Sequence, residues 1–293
     1  MIRYQYMRFP GGKGKAVTLS YDDGNVPDLR LADVVTKAGL KCTFNLNSNV
    51  AKKSVISDEQ IKEKFLDMGH EIAVHGMLHV APGMQRPIEG IKEVLNCRLE
   101  LEERFDRIIR GMAYPDTGVV YFENGADYET VKKYLCDLGI VYARTLGGDN
   151  DKFRMPTDWY KWMPTAHHKN PEIMNYIDKF LSIDTNAGWC SIHNPRLFYM
   201  WGHAFEFDND VNWDLLDRIC EKLGGHDDIW YATNIEIYEY TNAYNSLIHS
   251  ADATKVYNPT LYTIWFETDG KLYTIKPGET IIVDAWEESE LNA

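Results

Sequence analysis

The sequence has no C-x-x-C pair. Its five cysteines (Cys42, Cys97, Cys136, Cys190 and Cys220) are odd in number and far apart. That pattern excludes a cysteine zinc site and a disulfide framework, and buried free thiols are the simpler expectation. Long apolar runs are also missing. None approaches the ~20 residues of a membrane-crossing helix, so no membrane is expected as partner. The opening stretch from Met1 to Tyr6 carries no apolar segment of the signal-peptide kind, which sets the expectation of a cytoplasmic protein. Cations are in deficit, with 31 Lys and Arg against 44 Asp and Glu and a net charge of -13. DNA, RNA and anionic lipid would be repelled, so no nucleic acid is expected, and a neutral or cationic ligand fits better. There is no internal repeat and no low-complexity segment, and nothing indicates an oligomeric state.

What is present suits a sizeable core. Of the 293 residues, 44% are hydrophobic, enough for one large α/β domain or a domain with a small appendage. Short apolar runs alternate with helical periods. Lys15 to Ser20, Cys42 to Leu46, Glu71 to Val74, Ile108 to Tyr114, Ile140 to Ala143, Leu197 to Trp201 and Ile229 to Ala232 read as strands. Pro27 to Ala38, the stretch capped by Ser57, Tyr128 to Leu138, Pro171 to Leu181, Trp213 to Leu223 and Ile235 to Leu247 read as helices. Seven or eight such units predict a parallel α/β barrel. Gly147 to about His168 is irregular. After Ser250, short strands separated by Asp269-Gly270 and Pro277-Gly278 predict a small β appendage, dividing the chain into 1–249 and 250–293.

Three pieces carry chemistry. Ser20-Tyr-Asp-Asp-Gly24 puts two carboxylates at the end of a strand. His75-Gly-Met-Leu-His79 offers two histidines four apart, on one face if the segment is helical. Met200-Trp-Gly-His203 ends another strand. Asp, His and His with open positions make a hydrolytic metal site. Hydrolysis also needs a base for the water and an acid for the leaving group, and Asp22 and His203 are the candidates. His193 competes with His203, since it too follows an apolar run. Trp159 and Trp201 are candidates to stack on sugar rings. Glu206 is either a supporting residue or surface, and a second metal at His167-His168 is an open alternative to a plain loop.

In order and rough spacing these stretches, with Ala113-Tyr-Pro-Asp-Thr-Gly118, resemble the polysaccharide deacetylase family, also called the NodB homology domain or carbohydrate esterase family 4, over about residues 10 to 235. The resemblance implies a distorted (β/α) barrel. It implies Asp22 as base, and Asp23, His75 and His79 on a divalent metal, zinc or sometimes cobalt or nickel. A backbone N–H near Tyr114 would serve the oxyanion, and His203 would protonate the leaving group. Two departures stand out. The family arginine before the proline is Ala113 here, for which Arg144 is the candidate substitute and Arg110 the alternative. The aspartate that should partner the histidine is sought at Asp158. The implied activity is hydrolysis of acetyl groups on a sugar or oligosaccharide, foremost the N-acetyl of an amino sugar. An O-acetyl esterase, a cyclic-amide hydrolase and a non-catalytic glycan-binding barrel are the alternatives.

Overall fold

A computed structural model describes residues 4–48, 56–116, 118–119, 125–146, 149–186 and 193–284. Thr117, Gly147, Cys190 and the acidic stretch from Glu287 to Glu290 lie outside them. In chain order the strands are β1 (Gln5–Arg8), β2 (Lys15–Asp22), β3 (Cys42–Leu46), β4 (Glu71–Val74), β5 (Gly111–Ala113), β6 (Tyr142–Arg144) and β7 (Ala166–His167). They continue as β8 (Arg196–Gly202), β9 (Ile229–Tyr231), β10 (Ile248–His249), β11 (Lys255–Tyr257), β12 (Ile264–Thr268), β13 (Lys271–Ile275) and β14 (Thr280–Ile282).

The main sheet runs β6-β5-β4-β3-β2-β8-β7, with β9 also on β2, and every pairing is parallel. It curls into an incomplete barrel, as the alternation of strands and helices predicts. β2 is its hub. Along one edge it pairs with β8, and along the other with β9 and then β3. Alternation along the strands divides the side chains. Val17, Leu19, Tyr21, Phe44, Ile72, Val74, Phe198 and Met200 pack in the core shared with the outer helices. The other register faces inward and is polar towards one end: Thr18, Ser20, Asp22, Thr43, Asn45 and Arg144 are all buried.

The opening between β6 and β8 is bridged by residues 162–168. Trp162 exchanges backbone hydrogen bonds with Ala143 and Thr145, while Thr165 and His168 donate to Tyr199 and Trp201 at 2.7 and 2.8 Å. The irregular middle of the sequence thus contains a barrel wall. Helices start where the sequence signals them. Ser57 and Gln60 form a capping box, as do Thr233 and Glu236 before helix Asn234–Asn245.

The last strands form two small antiparallel sheets, β10-β11-β14 and β1-β12-β13. The second takes in the N-terminal strand β1, which sequence patterning did not predict. Its seam is a buried ion pair between Arg8 and Glu267, with Arg8 also donating to the carbonyls of Thr185 and His193 at 3.0 and 2.9 Å. No helix among the described residues is long and apolar enough to cross a membrane.

Candidate active site

The polar residues gather at the C-terminal ends of the parallel strands, where the strands give way to loops. Asp22 ends β2, His75 follows β4, Arg144 ends β6, His167 ends β7, and Trp201 and His203 lie at the end of β8. Asp23 turns sharply out of β2 at φ 81°, and its N–H donates to the Asn45 carbonyl at 3.0 Å.

Asp23, His75 and His79 converge. Asp23 Oδ1 is 3.6 Å from His75 Nε2 and 3.4 Å from His79 Nε2, and Asn47 donates to the same oxygen at 3.1 Å. The His75 ring is buried, and its Nδ1 lies 2.9 Å from the Ala113 carbonyl. Burial lowers the His75 pKa against the pull of Asp22 and Asp23, so the ring is neutral. The carbonyl fixes the proton on Nδ1. That leaves Nε2 with a lone pair, buried and without a hydrogen-bond partner, pointing at the carboxylates. An orphaned acceptor of this kind, beside a second imidazole and a carboxylate, fits a divalent cation, and these three residues are the donor set that would hold it.

The two histidines do not share a helix face. They meet through a loop with Gly76 at φ 85° and His79 at φ 62°. The buried carboxylate of Glu93, on helix Pro87–Phe105, shapes that loop. It accepts from the N–H groups of Leu78 and Val80 at 2.5 and 3.3 Å, and its own carbonyl accepts from Met77 at 3.1 Å. A side chain at position 76 would strike Glu93 Oε1, so the site needs a glycine there.

Asp22 lies beside this set, 3.9 Å from His75 Nε2. Asn45 donates to its Oδ1 at 2.8 Å, and the fully buried Arg144 pairs with its Oδ2. Burial alone would raise its pKa; Arg144 foremost, with His203 and Asn45, outweighs burial and holds it below the ordinary carboxylate value. Arg144 in turn stacks on Trp201, with its guanidinium 4.2 Å from the ring centroid. Arg110 pairs instead with Glu239.

The opposite wall is a histidine cluster around Glu206. One carboxylate oxygen lies 3.1 Å from His167 Nε2, 3.4 Å from His203 Nδ1 and 3.5 Å from His168 Nε2. His168 is buried between Tyr21 and Phe207, with Gly202 leaving room for its ring. Burial works to lower the His203 pKa, but Glu206, Asp22 and Asp23 raise it overall. Trp201 meets His167 and His203 edge-on.

Other sequence candidates lie elsewhere. Asp158 is not beside His203. It caps the turn at Trp159 and accepts from Tyr128 and Lys132 at 2.6 and 2.8 Å, so the nearby carboxylate is Glu206, one turn beyond the histidine. Trp159 packs against Trp162 and Tyr238 in the second core rather than over the carboxylates. The Tyr114 N–H is committed to the Arg144 carbonyl at 3.0 Å and its phenol, fully buried, donates to Tyr160, so neither faces a ligand. His193 sits before β8, at the opposite end from His203, 2.8 Å from Glu267. Asn45 and Glu93 went unrecognised in the sequence, and His167 is legible there only with His168, as a loop or a second metal site. Each depends on a neighbour remote in the chain, and no local motif marks it.

A sequence model described as polysaccharide deacetylase matches residues 9–137, the stretch that holds both carboxylates and both histidines. Over that stretch the chain is similar to the polysaccharide deacetylase family. That family comprises hydrolases of carbon–nitrogen or ester bonds that act on acetylated polysaccharides. Solved structures share the fold. A putative polysaccharide deacetylase from Mycobacterium smegmatis is 18% identical with a TM-score of 0.55, covering 82% of this chain and 94% of its own. A probable polysaccharide deacetylase from Pseudomonas aeruginosa is 11% identical at 0.54, covering 79% and 92%. A family 4 acetyl xylan esterase from Clostridium thermocellum, in complex with a cobalt ion, is 15% identical at 0.50, covering 78% and 92%. No curated protein matches the chain.

Proposed function

We propose that this chain is a divalent-metal-dependent deacetylase that removes the acetyl group from an N-acetylated amino sugar or oligosaccharide. The observation that carries the reading is the buried, unpartnered His75 Nε2, held by Ala113 and aimed at Asp23 beside His79. A cation held by Asp23, His75 and His79, zinc in our reading and cobalt or nickel as substitutes, supplies a Lewis acid for the acetyl carbonyl. The cobalt in the Clostridium thermocellum relative supports a metal here.

The remaining steps belong to the chain's own side chains. Asp22, kept ionised by Arg144 and Asn45, takes a proton from the attacking water. His203, raised by Glu206, carries the proton given to the departing amine. Trp201 presents an aromatic edge at the mouth for a sugar ring. We place catalysis in residues 1–249 and assign 250–293 to a supporting β appendage.

The test is acetate release from a panel of N-acetyl and O-acetyl sugars, before and after chelation. Release from N-acetyl substrates, lost on chelation and restored by zinc or cobalt, is expected. Release from O-acetyl esters alone would reassign the chain to an esterase, and sugar binding without release would make it a glycan-binding barrel.

A further inference from the structure

The wall opposite Asp23 repeats the donor chemistry of the first set. His167 Nε2, His203 Nδ1 and a Glu206 oxygen all lie within 4.8 Å of one another, as do the ligand atoms of Asp23, His75 and His79. The separations also match a shared ion. Four ligands at about 2.0–2.1 Å in a tetrahedron stand about 3.3–3.4 Å apart. The first set shows 3.4 and 3.6 Å, and the second shows 3.1 and 3.4 Å. His203 Nδ1 is buried with no directed hydrogen bond, although it faces the carboxylate. Two imidazoles and one carboxylate are moreover a donor set that zinc enzymes use.

The set is also held in place. The His203 N–H donates to Glu206 at 3.2 Å across the first turn of helix Phe205–Asn209, and buried His168 approaches the same oxygen from behind. His167 is fixed by β7, and the Lys169 N–H donates to its Nδ1 at 3.0 Å, which leaves Nε2 directed at Glu206.

We propose that His167, His203 and Glu206 form a second divalent-cation site, of zinc type, across the mouth from Asp23. An ion there takes the place of the Nδ1 proton, so the His203 ring can no longer be the doubly protonated imidazolium and becomes a much weaker acid. Excess zinc therefore suppresses turnover. Only this effect on turnover rests on the role proposed above for His203; the site itself rests on geometry.

The experiment is equilibrium titration of the chelator-stripped full chain with zinc and with cobalt, reading stoichiometry and visible cobalt absorption. Wild type is expected to bind two ions, and His167→Gln and Glu206→Gln one each. Asp23→Asn is expected to keep the ion that those two variants lose. Suppression of acetate release at excess zinc should vanish in His167→Gln. Saturation of wild type at one ion that His167→Gln retains would overturn the second site, as would two ions retained in both His167→Gln and Glu206→Gln. If Asp23→Asn loses no ion, the first set is wrong, and the His167→Gln titration still decides the second.

Discussion

Asp22 and Arg144 are adjacent only in the fold. The sequence offered Asp22-Asp23-Gly24 as a legible pair at a strand end, and Arg144 as the candidate substitute for the family arginine. The barrel brings them together because β2 and β6 aim their inward residues at the same mouth. Asp22→Asn should lower kcat by about 10²–10⁴-fold while leaving metal stoichiometry unchanged, as a general base does. Unchanged kcat in that variant would remove Asp22 from the chemistry. Arg144→Ala leaves a buried carboxylate without its cation. Denaturant unfolding should then show a loss of about 3–5 kcal/mol. Burial, no longer opposed by Arg144, should carry the acidic limb of kcat/KM to higher pH. His203 runs the other way. Its raised pKa keeps the acid form to higher pH, and Glu206→Gln removes the largest cause of that rise, so the alkaline limb should move down.

At the scale of elements, most strands and helices were readable from period and caps. The failures have physical causes. β1 is four residues long and finds its partner β12 about 260 positions away, so nothing local announces it. β7 is two residues long and holds its place through backbone bonds to β8. The His75–His79 spacing puts both rings on one face if the segment is helical, whereas Gly76 and the Glu93 carboxylate build a left-handed loop that brings them together. Glu93→Ala should therefore weaken metal binding about 10–100-fold by titration calorimetry, as loss of a supporting partner does. An unchanged affinity would mean that the loop holds itself. Glu71 plays a comparable part at the other end of the barrel. It accepts from Tyr142, Thr43 and the Ile235 N–H at the start of helix Asn234–Asn245, and burial pushes its pKa from 4.5 to about 7. The folded protein keeps this proton where the unfolded chain has lost it. Its contribution to stability is full below pH ~4.5 and declines as pH rises through about 7. Urea unfolding at pH 5 and pH 8 should show that decline, and Glu71→Gln should flatten it.

At the scale of the molecule, the sequence division at 249/250 and the sheet pairing cut across each other, since β1 joins β12 and Arg8 joins Glu267. The C-terminal strands thus act as a clasp on the first residues of the barrel. The hub position of β2 has a consequence in time. A chain made from its N-terminus completes Asp23, His75, His79 and the Ala113 carbonyl while β8 is still unsynthesised. β2 must wait with one edge open until Arg196–Gly202 arrives. In the growing chain, the means to capture an ion therefore precedes the means to hand over a proton, and the two halves of the chemistry are born in sequence rather than together.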